Sequence, residues 1–153
     1  MKRILVKSVY DAFDYVMDHY YPNGLEELAS QNDSYAVISI QDTHTDGFGF
    51  EFRKNLFCQD VLTLYFDDIE TEAENAVLFS KEMAEAVIRF IARNRKVDSL
   101  LIHCYGGLSR SKAIGAFAVE LFHADSSQYH EGTFNRHVYD TLKQVYHSKQ
   151  SSH

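Results

Sequence analysis

The sequence predicts an α/β domain with a central, mainly parallel sheet of four to five strands and helices on both faces. Short apolar runs rich in β-branched residues recur at 35–40, 61–66 and 99–103. Between and after them lie stretches with apolar residues at helical spacing, and strands that alternate with helices pair in parallel. No repeat, low-complexity tract or linker interrupts the 153 residues, so residues 1–147 are expected to form one domain and 148–153 a frayed tail.

Residues 3–7 read as a first strand. Ser8 then stands as a helix cap with Asp11 three residues on. Val9, Phe13, Val16, Met17 and Tyr20 follow at helical spacing until Tyr21-Pro22-Asn23-Gly24 ends the segment. A short helical piece through Leu25 and Leu28 is expected next, before the buried strand at 35–40. In the loop that follows, Asp42, His44 and Asp46 alternate as metal ligands can. Polar residues ahead of Gly47 and Gly49 are better read as a solvated turn, and no metal is expected. Residues 50–57 read as irregular or as a short edge strand.

The strand at 61–66 ends in Asp67-Asp68-Ile69-Glu70. Thr71 with Glu74 forms a capping box, and Ala73, Ala76, Val77, Met83, Ala84, Val87, Ile88 and Ile91 trace one face of a long helix. Arg93, Arg95 and Lys96 suit its negative end. After the strand at 99–103, a helix from near Arg110 carries Ala113, Ile114, Phe117 and Leu121. Phe134, Val138, Leu142 and Val145 space a last amphipathic helix.

Composition narrows the class. Hydrophobic content of 45% and charged content of 24% are ordinary for a globular chain. A formal net charge of -7 argues against a broad nucleic-acid or anionic-membrane surface. The apolar run at the start is too short for a signal peptide, and no stretch is long enough to cross a bilayer. A reducing cytoplasm is therefore expected, with Cys58 and Cys104 both free. Cys58 reads as a small core residue; the alternative is a Cys58–Cys104 disulfide that locks the second thiol.

The chemistry gathers at Ser99-Leu100-Leu101-Ile102-His103-Cys104-Tyr105-Gly106-Gly107-Leu108-Ser109-Arg110-Ser111. A loop between a strand end and a helix start presents several backbone N–H groups to one concavity, and the helix dipole adds to their pull on an anion. The same groups stabilise a thiolate, which makes Cys104 a candidate nucleophile. Gly106 and Gly107 are expected to permit a close backbone approach. Arg110 can grip two phosphate oxygens in its planar fork. Ser111 can donate a hydrogen bond to the sulfur as it leaves. His103 is expected to steady the loop rather than act as a base. Tyr105, Gly106, Gly107, Leu108 and Ser109 would hold the phosphoryl group through their amides, and none adds the basic charge that a phosphoinositide calls for.

Cys104, five intervening residues, then Arg110-Ser111, preceded by His103, resemble the signature of the cysteine-based protein tyrosine phosphatases, in particular the compact dual-specificity branch. The resemblance covers 102–111 specifically and 62–91 in support. It implies a three-layer α/β/α fold and a hydrolase without cofactor or metal. It also implies a phosphorylated protein or peptide as partner, with phosphate or sulfate able to occupy the loop. The loop that clamps a phosphotyrosine ring in the larger tyrosine phosphatases has no counterpart here, and the low-molecular-weight phosphatases carry their cysteine near the N-terminus. Gly106 stands where related loops often carry Ala, Glu or Lys. A sulfurtransferase-like cysteine loop, a phosphate-binding module without turnover, and a small-molecule or nucleotide phosphatase are the other readings of the same loop.

Hydrolysis needs a carboxylic acid to protonate the departing oxygen and then act as base on water. The turn after the strand at 61–66 supplies two candidates. In the families this chain resembles, a hydrophobic residue lies two positions before the acid, as Phe66 does before Asp68. Asp68 is the expected acid and Asp67 the alternative. The competing structural reading has both merely capping the next helix. Glu70 and Glu72 read as solvated charges, and Arg136 as a surface charge.

Overall fold

The computed structural model describes residues 3–21, 33–43, 51–106, 109–122 and 133–151. In chain order these form β1 (Arg3–Ser8), α1 (Val9–Tyr20), β2 (Tyr35–Gln41), β3 (Cys58–Tyr65), α2 (Lys81–Arg93), β4 (Ser99–Cys104), α3 (Arg110–Leu121) and α4 (Arg136–Ser151). The four strands pair in parallel in the order β1-β4-β2-β3. β2 and β4 lie inside the sheet and are buried along their whole length, which is why both read as near-continuous apolar runs.

Side chains alternate across the sheet. Ile38, Leu100, Ile102 and Cys104 join the larger core with residues of α2, α3 and α4, while Val37 and Leu101 join a smaller core with Ala12, Val16 and Tyr20 of α1. Among the described residues, α2, α3 and α4 thus cover one face and α1 the other, the three layers expected. Ser8 caps α1 as its sequence indicates, its side chain accepting from the Asp11 amide at 3.1 Å.

Several expectations change. The helix predicted from Thr71 begins only at Lys81, capped by Ser80. Thr71, Ala73, Glu74 and Val77 are exposed. Asn75 takes a left-handed φ of 59°, which ends any helical run there. The Asp67 amide donates to the Val77 carbonyl at 2.8 Å, so 67–77 closes on itself and delivers Phe79 onto Phe66, ring centroids 4.9 Å apart. Residues 51–57 are irregular, with Phe57 buried. The helical reading of α4 extends to Ser151, into the stretch expected as a tail. The expected helical piece at Leu25 and Leu28, together with His44, Asp46, His123 and His130, lies outside the described residues.

Cys58 is buried in the smaller core. Its register partner Tyr35 stands opposite Ser99, at the amino end of β4. Cys104 closes the other end, about 17 Å along at ~3.3 Å per residue, where a disulfide needs Cα atoms roughly 6 Å apart. The register excludes the Cys58–Cys104 lock. Among the described residues no helix is long and apolar enough to cross a membrane.

Candidate active site

The parallel register brings Ser8, Gln41, Tyr65 and Cys104 to one edge of the sheet. β1 and β4 pair through Ser8 and Cys104, and the chain then leaves them on opposite faces into α1 and α3, the arrangement at which α/β sheets bind ligands beyond their carboxyl ends. Cys104 sits at that point, only 2% exposed, with its Sγ 3.1 Å from the Ser111 Oγ. Ser109 is the N-cap of α3 but makes no side-chain cap hydrogen bond, and no acidic residue stands in the first turn. The positive end of α3 is therefore left to an anion from outside the helix. Gly107 and Leu108 lie outside the described residues. A Cβ at Gly106 would meet no protein atom within 4 Å.

Arg110 is buried, its side chain 7% exposed. Its Nη1 donates to the Phe66 carbonyl at 2.8 Å and pairs with the Asp42 Oδ1 at 2.7 Å. A guanidinium can hold partners on two edges, so fixing Nη1 leaves Nε and Nη2 for two oxygens of one anion. Asp42 was expected to be part of a solvated turn. It is instead the counter-ion of the loop arginine. The readable signal was its place as the first residue past a buried strand beside β4.

The two acid candidates separate cleanly. Asp67 faces inward as a brace: its carboxylate accepts from the Thr43 Oγ1 at 2.7 Å and from the Val77 amide at 2.7 Å. Asp68 reaches the loop, its Oδ1 accepting from the Ser109 Oγ at 2.8 Å and the Asn135 Nδ2 at 2.9 Å. Asp68 Oδ2 takes no hydrogen bond from the described residues. Neither carboxylate caps a helix, because α2 starts at Lys81. Asn135 stands immediately before α4. Its Oδ1 caps α4 at the Val138 amide, and its Nδ2 also donates to the Ile69 carbonyl, so one side chain ties helix, turn and carboxylate.

His103 lies on the opposite face from Cys104, 1% exposed, its Nε2 2.7 Å from the Ser39 Oγ. The Gln41 side chain donates to the same hydroxyl at 3.0 Å. Burial pushes the His103 ring down to about 4, so it is neutral at pH 7. Tyr105 is half-exposed, and its carbonyl accepts from the Val9 amide at 3.2 Å. Arg136 is exposed beside Asp140, and Glu70 accepts from the Arg136 amide at 3.1 Å at the start of α4. His137 holds the Phe79 carbonyl at 2.8 Å. Among the described residues no group of His, Cys, Asp and Glu side chains is arranged to hold a metal ion.

No protein-family model and no curated protein matches this chain. Among solved structures it is similar to that of OH1 from the Orf virus, described as a tyrosine phosphatase with distinct structural features and triple substrate specificity. Identity is 13%, the match covers 98% of this chain and 72% of that one, and the TM-score is 0.44. A likeness at that level leaves function to the residues of the site.

Proposed function

We propose that this protein is a phosphatase that hydrolyses phosphate monoesters on protein, phosphotyrosine with or without phosphoserine and phosphothreonine, through a cysteinyl-phosphate. The observation that carries this reading is the meeting, at one sheet edge, of Cys104 beside Ser111, Arg110 held by Asp42, and Asp68 held against the loop by Ser109 and Asn135. The Cys104 thiolate attacks phosphorus and the P–O ester bond breaks as Asp68 gives its proton to the departing oxygen. Asp68 then takes a proton from water, the water oxygen attacks phosphorus, and the S–P bond breaks to return the thiolate, which the Ser111 hydroxyl stabilises. Arg110 and the amides of Tyr105, Gly106, Gly107, Leu108 and Ser109 hold the phosphoryl oxygens throughout. A nucleophilic thiol on this cycle requires a reducing compartment, in line with a cytoplasmic location.

The placement of Asp68 favours turnover over a module that only binds phosphate. The test is hydrolysis of p-nitrophenyl phosphate in the presence of chelator. Wild type should turn over, Cys104→Ser should not, and Asp68→Asn should be slowed on the order of 100-fold. Phosphopeptides and nucleotides run in the same panel define the substrate class. Retained activity in Cys104→Ser would overturn the mechanism.

A further inference from the structure

The row of exposed apolar side chains that starts at the catalytic loop does nothing in the chemistry above. Tyr105 is 52% exposed and stands edge-on to Tyr10, which is 57% exposed, with ring centroids 6.3 Å apart. Phe13 and Met17, 39% and 37% exposed, continue the row along α1. Positions 10, 13 and 17 share one helical stripe, beside the buried stripe of Ala12, Val16 and Tyr20. On the outer flank of the row, 100° per residue places Asp11, Asp14 and Asp18, all exposed. From Tyr10 to Met17 the row runs about 10 Å, the reach of roughly three residues of extended chain.

The row is anchored to the site. Ser8 is the register partner of Cys104, and the Val9 amide holds the Tyr105 carbonyl. The first turn of α1 is thus fixed, through backbone, to the residue that follows Cys104.

We propose that this row is the docking surface for the substrate polypeptide on one side of its phosphorylated residue. It selects flanking residues that are apolar, to cover Tyr10, Phe13 and Met17, and basic, to meet the aspartates. The occupant is inferred from the continuity of the row with the loop and from the charge beside it, in a chain of net charge -7. This rests on the phosphatase reading, but binding tests it separately from turnover.

The experiment measures fluorescence anisotropy of labelled phosphotyrosine peptides on the full-length Cys104→Ser protein. One peptide has apolar and basic flanks, a second apolar and acidic flanks, and a third glycine and serine flanks. The first should bind about tenfold more tightly than the others. Asp14→Lys with Asp18→Lys should reverse the order of the first two peptides. Phe13→Ser with Met17→Ser should bring the first down to the third. In the chain that keeps Cys104, these four changes should leave p-nitrophenyl phosphate turnover as it was. Equal binding of the three peptides, or an order that the variants do not move, overturns the proposal. So does sedimentation in which Phe13→Ser with Met17→Ser converts a dimer to a monomer, which would make the row a contact between copies. A chain that ranks the peptides as expected yet fails to hydrolyse p-nitrophenyl phosphate keeps the docking surface and loses the phosphatase reading.

Discussion

Arg110 shows how much one buried charge asks of its neighbours. A guanidinium with a 7% exposed side chain is stable only when paired, and Asp42 provides that pairing at 2.7 Å. Asp42→Ala should therefore lower the melting temperature and, on the proposed function, reduce kcat/KM on the order of 10- to 100-fold, because the fork proposed to receive the phosphoryl oxygens loses its fixed edge. Inorganic phosphate should restore part of the lost melting temperature by supplying the missing negative charge. Thermal melts with and without phosphate, beside steady-state kinetics, check both statements; unchanged kinetics would show that the Phe66 carbonyl alone sets the arginine. His103 gives a pH effect of definite sign. The unfolded chain binds its proton near the ordinary 6.5, whereas burial delays binding in the folded chain to about 4. The stability it contributes is whole above pH 6.5 and is lost as pH falls through that window, a change of roughly 3 kcal/mol. In His103→Gln the urea midpoint should fall less steeply between those pH values than in wild type. Parallel curves would mean that His103 protonates without strain.

At the scale of elements, the segment from Asp67 to Ser80 decides where α2 begins and where Asp68 points. Ser80 accepts from the Met83 amide at 3.1 Å, so Ser80→Ala should cost about 1 kcal/mol of stability. Thr71→Ala, on an exposed and non-helical residue, should cost little, and urea titration of the two variants compares them directly. Asp67 receives donors from Thr43 and Val77, tying the turn to the residues after β2. Asp67→Ala should destabilise by about 2 kcal/mol, since it leaves those donors unpaired. Its effect on kcat should stay well below that of Asp68→Asn. If Asp67 variants lost turnover while keeping their stability, the roles of the two carboxylates would be exchanged.

For the whole molecule, the sheet register separates the two thiols. Burial pushes Cys58 up to about 11, so it is an unreactive thiol at neutral pH, and the strands hold it at the end of the sheet away from Cys104. Peroxide treatment should oxidise Cys104 and leave Cys58 reduced, with no linked peptide between them in a non-reducing digest. A linked peptide would require the sheet to come apart. The same parallel arrangement explains why the site lies where it does: every strand points its carboxyl end toward one edge, and helices leave on opposite faces from neighbouring strands.

Local pattern, read from the amino-acid sequence alone, determined the α/β class, the buried strands β2 and β4, the cap at Ser8, and the start of α3 at Arg110 soon after β4 ends at Cys104. These depend on residues close together in the chain, where spacing and side-chain chemistry suffice. Only the tertiary structure decided the start of α2, because Phe79 joins the core by packing on Phe66, and no capping pattern records that contact. It also separated Asp67 from Asp68 and brought Asp42 to Arg110. Asn135 reaches Asp68 across 67 residues, and side chains so far apart in sequence meet only once strand order and register are set.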